Sequence, residues 1–336
     1  MSERELVIVG GGPAGMAAAL SAYEHGVRDI LLLERDQYLG GILNQCIHTG
    51  FGLNYFKESL TGPEYALRFA RRITDIKGID VSLKSFAVRL TPDKTLTYLK
   101  PGRVERVKAK ALIMATGCRE KTREMVHIAG TRPAGIFSAG LAQKLINIEG
   151  LLPGKEAVIL GSGDIGLIMA RRFILEGARV KGVVEIREQS RGLTRNVVQC
   201  LEDFDIPLYL RHKISRVRGR DRVEAVDVAR VDDRMEEVPG SEFTLECDTL
   251  LVSVGLIPEN ELIEMAGVPL DKKTNSPLSE GLNETPIPGL FVCGNAFKVY
   301  DLADSVSTDS LEAGRMAAEY LIKPQKSPAF TGRGAS

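Results

Sequence analysis

The sequence lacks a charge excess, a long apolar run and a secretory signal. Its 336 residues contain 44 lysines and arginines against 44 aspartates and glutamates, so the formal net charge is zero. A nucleic acid or an anionic membrane surface as the main partner would favour a clear positive excess. Nowhere do 18 apolar residues follow one another, and no basic and apolar leader opens the chain. We therefore expect no nucleic-acid partner, no membrane span and a cytoplasmic location.

The sequence also lacks paired cysteines and clustered histidines. The cysteines, Cys46, Cys118, Cys200, Cys247 and Cys293, are isolated from one another, which fits neither a disulfide framework nor a zinc-binding motif. The four histidines are scattered without metal-ligand spacing. We expect reduced thiols and no metal site.

Glycine, in contrast, is abundant, and much of it falls in two segments that share one plan. The 34 glycines are about 10% of the chain, against a usual ~7%. Each segment has an apolar strand, a G-x-G-x-x-G turn, a helix and a second strand that ends on an acid, Glu34 in one copy and Glu185 in the other. The acid follows the first glycine by 24 residues in both copies. The turns contain Gly10, Gly12 and Gly15 in the first copy and Gly161, Gly163 and Gly166 in the second.

This pattern is typical of a dinucleotide site. The first glycine permits a tight turn, the second lets the backbone approach a pyrophosphate, and the third lets the helix pack closely on the strand. The amino end of the helix supplies N–H groups for the anion, and the acid accepts hydrogen bonds from a ribose. Two apolar strands, residues 110–117 and 248–255, end on Gly117 and Gly255 and predict a return of the chain to each site. Two such sites in one chain indicate an α/β protein that binds two dinucleotides.

Residues 61–64 predict a capping box with an early proline at the start of a helix. Tyr65, Phe69 and Ile73 then fall on one face. We interpret this segment as an ordinary packed helix.

The motifs resemble the two-dinucleotide-fold flavoproteins of the pyridine nucleotide-disulfide oxidoreductase superfamily, over roughly residues 5–322. The resemblance implies an α/β fold of two Rossmann-like domains, of the three-layer ββα/βα type. The FAD domain is expected to be discontinuous, residues 1–120 and 283–325, with the NAD(P) domain, residues 121–282, inserted. Residues 326–336 are expected to form a flexible tail.

The resemblance also assigns the FAD site. A late motif that normally ends in aspartate ends here in Asn295, which keeps an acceptor oxygen and adds donors. A helix after residues 307–309 is expected to direct its amino end at the flavin, with Asp309 as a simple helix cap and Ser305 and Val306 as backbone donors. The expected FAD residues are Gly10, Gly12, Pro13, Ala14, Gly15, Glu34, Arg35, Gly41, Ala115, Thr116, Gly117, Gly294, Asn295, Ser305 and Val306.

The second copy is expected to bind NAD(P)(H). Glu185 favours NAD, because a carboxylate accepts from a free 2′-hydroxyl and repels a 2′-phosphate. Arg187 and Arg191 keep NADP open as the second choice. The expected residues are Gly161, Gly163, Asp164, Ile165, Gly166, Glu185, Arg187 and Gly255.

Disulfide reductases of the superfamily need a redox-active pair of cysteines, and this chain has a single cysteine after Gly41, and no C-x-x-C. Disulfide reduction is therefore not expected. Cys46 and His48 fall in a segment that the resemblance places near the flavin. They are the candidate catalytic residues, as an acid, a base or a substrate contact. The other interpretation, which we favour, is that they only line or pack the FAD site.

A narrower resemblance concerns residues 40–48, 60–66 and 132–143. These stretches are similar to NAD-linked flavoprotein subunits of sarcosine-oxidase-like, dye-linked proline dehydrogenase and hydrogen cyanide synthase complexes. They are most similar to the proteins that accompany an anaerobic-type glycerol-3-phosphate dehydrogenase. The resemblance implies hydride transfer between NAD(H) and FAD, and electron exchange with a partner flavin dehydrogenase in a hetero-oligomer. An iron–sulfur or small accessory protein is a further partner to consider.

Two alternatives stay open at this point. One is a stand-alone flavin oxidase or reductase of a small amine or polyol phosphate. The other is a non-enzymatic scaffold subunit that holds a nucleotide without turnover.

Overall fold

The computed structural model describes residues 1–279 and 281–322 and divides the chain into two compact units. Unit 1 contains Met1–Cys118 and the chain from Pro258 onward, and unit 2 contains Arg119–Ile257. The sequence places the return to the first domain near residue 283, whereas the structure places it at Pro258. The reason is that Ile263, Ala266 and Val268 pack into a core of unit 1. The tail expected at residues 326–336 lies outside the described residues.

The elements are numbered in chain order. The strands are β1 (Ser2–Val9), β2 (Ile30–Leu33), β3 (Thr49–Phe51), β4 (Leu60–Thr61), β5 (Ile79–Ser82), β6 (Phe86–Leu90), β7 (Thr95–Lys100), β8 (Arg103–Met114), β9 (Cys118–Glu120), β10 (Ala129–Gly130), β11 (Ile136–Ser138), β12 (Glu156–Leu160), β13 (Arg179–Glu185), β14 (Leu208–Leu210), β15 (His212–Gly219), β16 (Val223–Arg230), β17 (Phe243–Glu246), β18 (Thr249–Val252), β19 (Leu256–Pro258) and β20 (Leu290–Val292). The helices are α1 (Pro13–Glu24), α2 (Gly62–Thr74), α3 (Ala139–Asn147), α4 (Asp164–Leu175), α5 (Thr194–Cys200), α6 (Glu261–Met265) and α7 (Ala303–Ile322). No helix in these described ranges is long and apolar enough to cross a bilayer.

The main sheet of unit 1 is parallel at its centre. Its strand order is β5-β2-β1-β8-β7-β6, with β20 also paired to β8. The strands β5, β2, β1, β8 and β20 are parallel, and β6 and β7 are antiparallel. Leu6 and Ile8 of β1 belong to the core that includes α1, α2 and α7, while Val7 and Val9 belong to the core on the other face. The strand is apolar at successive positions because both of its faces are covered.

Unit 2 has three layers. A five-stranded parallel sheet, β11-β18-β12-β13-β14, packs helices α3, α4 and α5 on one face. A four-stranded sheet, β10-β15-β16-β17, packs on the other face. Ile159 of β12 points to the helical side, and Val158 and Leu160 point to the second sheet. The expected α/β fold with parallel sheets is confirmed.

Helix α2 begins as predicted. The Thr61 side chain accepts from the Glu64 backbone N–H at 3.4 Å, and the Glu64 carboxylate accepts from the Thr61 N–H at 2.8 Å. Tyr65, Phe69 and Ile73 are fully buried on one face. The capping box and the packed face are both confirmed.

Helix α7 begins earlier than predicted. It starts at Ala303, and the Val306 N–H donates to the Leu302 carbonyl at 3.2 Å. Asp309 therefore lies in the second turn, and its assignment as a helix cap was wrong. The acid of the first turn is Asp304, which is buried.

Candidate functional site

The first glycine turn follows β1, and two of its glycines are required by the protein's own backbone. Gly10 has a φ of +112°, and a Cβ there would lie 2.3 Å from the Ala115 carbonyl oxygen. A Cβ on Gly15 would lie 1.8 Å from the Gly10 carbonyl oxygen. Any side chain at these positions would push α1 and the end of β8 away from the turn.

Gly12 differs from these two. Its φ of −76° suits any residue, and a Cβ there would meet nothing closer than the Gly41 Cα at 4.0 Å. The fold alone therefore does not require glycine at this position. The amino end of α1 has no side-chain cap bond and no acid in its first turn, with Pro13 at the first helical position and Ala14 buried beside it. Backbone N–H groups at an uncapped helix end suit a pyrophosphate, and a side chain at Gly12 would keep it at a distance.

The carboxylate of Glu34 is fixed beside this turn. The side chain is 4% exposed, and its two oxygens accept from the backbone N–H groups of Gly11 and Asp36, both at 2.8 Å. Each oxygen of a carboxylate can accept more than one hydrogen bond, so the group keeps capacity for a ribose diol. This arrangement fits the adenosine end of FAD.

The remaining FAD candidates also lie in unit 1. Gly41 has a φ of +54° and faces Gly12, while Arg35 is exposed. The Thr116 hydroxyl donates to the Glu259 carbonyl at 2.7 Å, and the Glu259 N–H donates to the Gly117 carbonyl at 3.0 Å.

The late motif is held by its own contacts. Gly294 has a φ of +61°, and a Cβ there would lie 2.5 Å from the Ala14 Cβ, so this glycine permits close approach to α1. Asn295 accepts from the Tyr300 N–H at 3.1 Å, and its amide lies 3.5 Å from the Cys118 sulfur. Ser305 is exposed in the first turn of α7. The Val306 side chain is buried and its N–H donates to the Leu302 carbonyl at 3.2 Å, so its role as a backbone donor to the flavin stays a prediction.

The second glycine turn, in unit 2, repeats the first. A Cβ on Gly161 would lie 2.1 Å from the Ser253 carbonyl oxygen, and one on Gly166 would lie 2.4 Å from the Gly161 carbonyl oxygen. Gly163 has a φ of −70° and no atom within 4 Å of a built Cβ. The middle glycine is again the one that the protein itself does not require.

Glu185 repeats the role of Glu34. It is 5% exposed and accepts from the Ser162 N–H and the Arg187 N–H, both at 3.0 Å. The buried Ser162 hydroxyl adds a third bond at 2.7 Å. The sequence reasoning missed Ser162, although counting 24 residues back from each acid to the first glycine aligns Ser162 with Gly11.

The duplication extends to the loop that follows each acid. The Gly40 N–H donates to the Gly11 carbonyl at 2.8 Å, and the Gly192 N–H donates to the Ser162 carbonyl at 2.9 Å. Gly192 was also missed. The sequence does indicate this position, because a glycine follows the acid by a few residues in both copies.

The other NAD candidates surround this turn. Asp164 opens α4 and accepts from the Leu193 N–H at 2.8 Å and the Asn196 amide at 2.6 Å, so its carboxylate is used to fix the neighbouring loop. Ile165 packs against the core of unit 2, and the side chain of Arg187 is exposed. Gly255 has a φ of +111° and accepts from the Lys121 N–H at 2.9 Å.

Cys46 and His48 each contact groups of the segment around them. The Cys46 thiol contacts the Ile42 carbonyl at 3.3 Å, and burial raises its pKa to about 12. Its Cβ also packs closely against Gly62. The His48 ring packs on the Phe51 ring, with centroids 5.0 Å apart. These contacts favour the packing interpretation.

We expect the Cys46→Ser variant to reduce its flavin with NADH at a rate within about twofold of the parent from about pH 6 to about pH 9. The raised pKa keeps the thiol neutral throughout this range, and a neutral thiol is a weak nucleophile and base. Stopped-flow reduction at several pH values, with flavin content as the control, measures this. Cys46 would be assigned a catalytic role if the reduction rate falls tenfold in the variant. The same would follow if the parent's rate changes with pH in this range and the variant's rate does not.

None of the five cysteines, all of which lie in the described part of the chain, forms a disulfide. Within residues 1–279 and 281–322, no group of three or more histidine, cysteine, aspartate or glutamate side chains could hold a metal ion. The chemistry-bearing features that remain are the two glycine turns with their carboxylates.

Two Rossmann-like units, each with a dinucleotide fingerprint, define the chain as a two-dinucleotide-domain oxidoreductase. The family model for pyridine nucleotide-disulphide oxidoreductases matches residues 4–310. The chain belongs to this family, which consists of FAD-dependent NAD(P)H oxidoreductases.

Individual relatives have low sequence identity to this chain. Hydrogen cyanide synthase subunit HcnB from Pseudomonas protegens is 30% identical over 282 residues, which cover 78% of this chain and 58% of the relative. An opine oxidase subunit from Agrobacterium tumefaciens is 23% identical over 317 residues, which cover 87% of this chain and 61% of the relative. The chain thus spans about three fifths of the length of these two proteins.

Among solved structures, thioredoxin reductase from Lactococcus lactis has the same fold. The match has a TM-score of 0.74 at 19% identity and covers 96% of this chain and 100% of that one.

Proposed function

We propose that this protein is the NAD-linked flavoprotein subunit of a larger dehydrogenase complex. It exchanges hydride between NAD(H) and FAD, and electrons with a partner dehydrogenase of the glycerol-3-phosphate type. When bound, FAD supplies the chemistry that links two-electron hydride transfer to an electron acceptor. We propose unit 1 as the FAD domain, which the sequence predicts at residues 1–120 and 283–325, and unit 2 as the NAD domain, which the sequence predicts at residues 121–282.

One observation carries this proposal: a buried carboxylate lies beside each of two glycine turns, and none of the five cysteines forms a disulfide. Glu34 and Glu185 are each held by backbone N–H groups beside a glycine turn. None of the five cysteines forms a disulfide, and burial raises the pKa of Cys46. Electrons from bound flavin therefore need an acceptor other than an internal disulfide.

The relatives support a partner protein. Two of them are by name subunits, one of hydrogen cyanide synthase and one of opine oxidase. Five cysteines without a disulfide favour a reducing compartment, so our proposed location is the cytoplasm.

The proposal is tested by anaerobic titration of the purified, FAD-loaded chain with NADH. The flavin absorbance should bleach, with two electrons taken up per flavin. If the flavin does not bleach while FAD stays bound, the chain is a nucleotide-holding scaffold and the catalytic proposal is wrong.

The partner is tested by purification from the native cell. A dehydrogenase subunit should co-purify, and the complex, unlike the isolated chain, should reduce NAD with glycerol 3-phosphate. Activity of the isolated chain toward glycerol 3-phosphate or an amine would instead support a stand-alone enzyme.

We expect NADH to be the preferred nucleotide because Glu185 is fixed at the strand end. The Glu185→Ala variant should have a KM for NADH raised about tenfold, since a hydrogen bond to a charged group contributes about 1.5–3 kcal/mol. The KM for NADPH should stay within about twofold, because the variant also loses a repulsive charge. Steady-state dye reduction with both nucleotides measures the ratio. Equal rises for both would mean only structural damage at Ser162, whose N–H and hydroxyl lose their acceptor.

A further inference from the structure

Asp304, in the first turn of α7, accepts hydrogen bonds from a loop that is distant in the sequence. Its side chain is 5% exposed, and its two carboxylate oxygens accept from different backbone N–H groups, Gly52 at 3.0 Å and Asn54 at 2.8 Å. The bonds join positions about 250 residues apart in the sequence. The donors lie outside the helix, so the carboxylate does more than cap α7.

A second contact lies one helical turn further along the same face. The Tyr65 hydroxyl donates to the Ser307 hydroxyl at 2.9 Å, and both side chains are fully buried. Tyr65 packs edge-on against Phe56, with ring centroids 5.0 Å apart. Asp304 thus bonds the loop that follows β3 to α7, and the Tyr65 ring packs against Phe56 of the same loop.

Two glycines with positive φ weaken the intrinsic backbone preference of residues 49–54 for one conformation. Gly50 and Gly52 have φ values of +117° and +84°. Glycine loses more conformational freedom on ordering than other residues, so a loop with two of them needs external bonds to stay in one conformation. A buried carboxylate with two N–H donors supplies such bonds, because hydrogen bonds to a charged acceptor are stronger than neutral ones.

We propose that Asp304 is a positioning residue for the flavin site, which holds residues 49–54 against the first turn of α7. The inference rests on the proposed function, because the resemblance places this segment and the amino end of α7 beside the flavin. This segment includes Phe51, the last residue of β3, whose ring packs on His48. The ring pair and the helix end are therefore held in one arrangement by a single carboxylate.

The test uses the Asp304→Asn variant. Asparagine keeps the size of the side chain but offers one acceptor oxygen and one N–H₂ group to two N–H donors, so one loop bond must be lost. Asp301→Asn is the matched control, because Asp301 is exposed and its replacement removes the same charge three residues away. Amide hydrogen exchange of residues 52–54 and anaerobic reduction by NADH are measured on the FAD-loaded chain, and exchange also on the apoprotein.

We expect exchange at residues 52–54 to accelerate at least tenfold in Asp304→Asn, in apoprotein and loaded protein alike. The rate of flavin reduction should fall at least tenfold and the visible flavin spectrum should shift, with the KM for NADH within twofold. Asp301→Asn should match the parent in each measurement. If amide exchange at residues 52–54 is unchanged in Asp304→Asn, Asp304 does not hold the loop against α7. If exchange is faster but the flavin spectrum and the reduction rate are unchanged, Asp304 does not position the flavin site.

A second variant distinguishes a local effect on the loop from general misfolding of unit 1. Tyr65→Phe removes only the hydroxyl that donates to Ser307, keeps the ring that packs on Phe56, and should accelerate exchange in residues 52–58 at least threefold. If both variants lose protection throughout unit 1, Asp304 and Tyr65 are general stability residues and the proposal is wrong. Failure of the parent protein to bleach with NADH would contradict the proposed function but leave the exchange result on the apoprotein intact.

Discussion

The Gly12→Ala variant is expected to fold like the parent and to lose FAD. A Cβ at this position meets no protein atom closer than the Gly41 Cα at 4.0 Å, and the φ of −76° suits alanine. Alanine is poorer than glycine at a helix N-cap, but it also restricts the unfolded chain, so the two effects on stability largely offset each other. What the methyl group blocks is the approach of a pyrophosphate to the turn.

We expect flavin content to fall at least tenfold, because the methyl group weakens FAD binding. The free energy of unfolding of the apoprotein should change by less than about 1 kcal/mol. Visible absorbance per chain and thermal unfolding of FAD-free protein measure the two quantities. The apoprotein is required because bound FAD itself stabilises the fold.

Gly15→Ala is the contrasting variant. Its methyl group would lie 1.8 Å from the Gly10 carbonyl oxygen, so the backbone must move, at a cost of about 1–3 kcal/mol or more. This variant should lose both stability and flavin. If Gly12→Ala retains stoichiometric FAD, the turn does not hold the pyrophosphate and the site in unit 1 is misassigned.

The parts of the fold that could be predicted from sequence are those that local patterns specify. The glycine turns, the strands before them and the acids after them lie within two short segments, and the spacing between Gly10 and Glu34 recurs between Gly161 and Glu185. The capping box at Thr61 is equally local, because its bonds join residues three apart. Each of these features is determined by residues close together in the chain.

The features that were missed depend on contacts between distant residues. The start of α7 was misplaced because residues 305–308 are rich in hydroxyl side chains that favour turns and caps. In the structure, Asp304 bonds to a loop about 250 residues earlier, and Val306 and Ser307 are buried in unit 1. Tertiary contacts thus extend the helix over residues with weak intrinsic preference for it.

The contribution of Ser162 was missed for a related reason. The middle positions of a G-x-G-x-x-G turn carry no fixed residue type, so the pattern does not assign them a role. Only the folded geometry brings the Ser162 hydroxyl to 2.7 Å from Glu185. The comparison of the two copies would have indicated the position, because Gly11 donates its N–H to Glu34 at the equivalent place.

The Gly163→Ala variant should separate the two sites, because it changes unit 2 at the position equivalent to Gly12. Nothing lies within 4 Å of a Cβ built on Gly163, so the fold and the flavin content should match the parent. The KM for NADH should rise at least tenfold, and kcat at saturation should stay within about twofold, because lost binding that is equal in the ground and transition states raises KM alone. Steady-state dye reduction over a range of NADH concentrations measures both constants.

Gly12→Ala and Gly163→Ala serve as controls for each other. The first should lose flavin and the second should keep it, and Gly166→Ala should unfold more readily because its Cβ would lie 2.4 Å from the Gly161 carbonyl oxygen. A normal KM in Gly163→Ala would mean that NADH does not use this turn, and loss of flavin from it would assign FAD to unit 2. The opposite responses of two chemically identical changes would therefore establish which turn holds which nucleotide, because neither methyl group has a protein atom to displace.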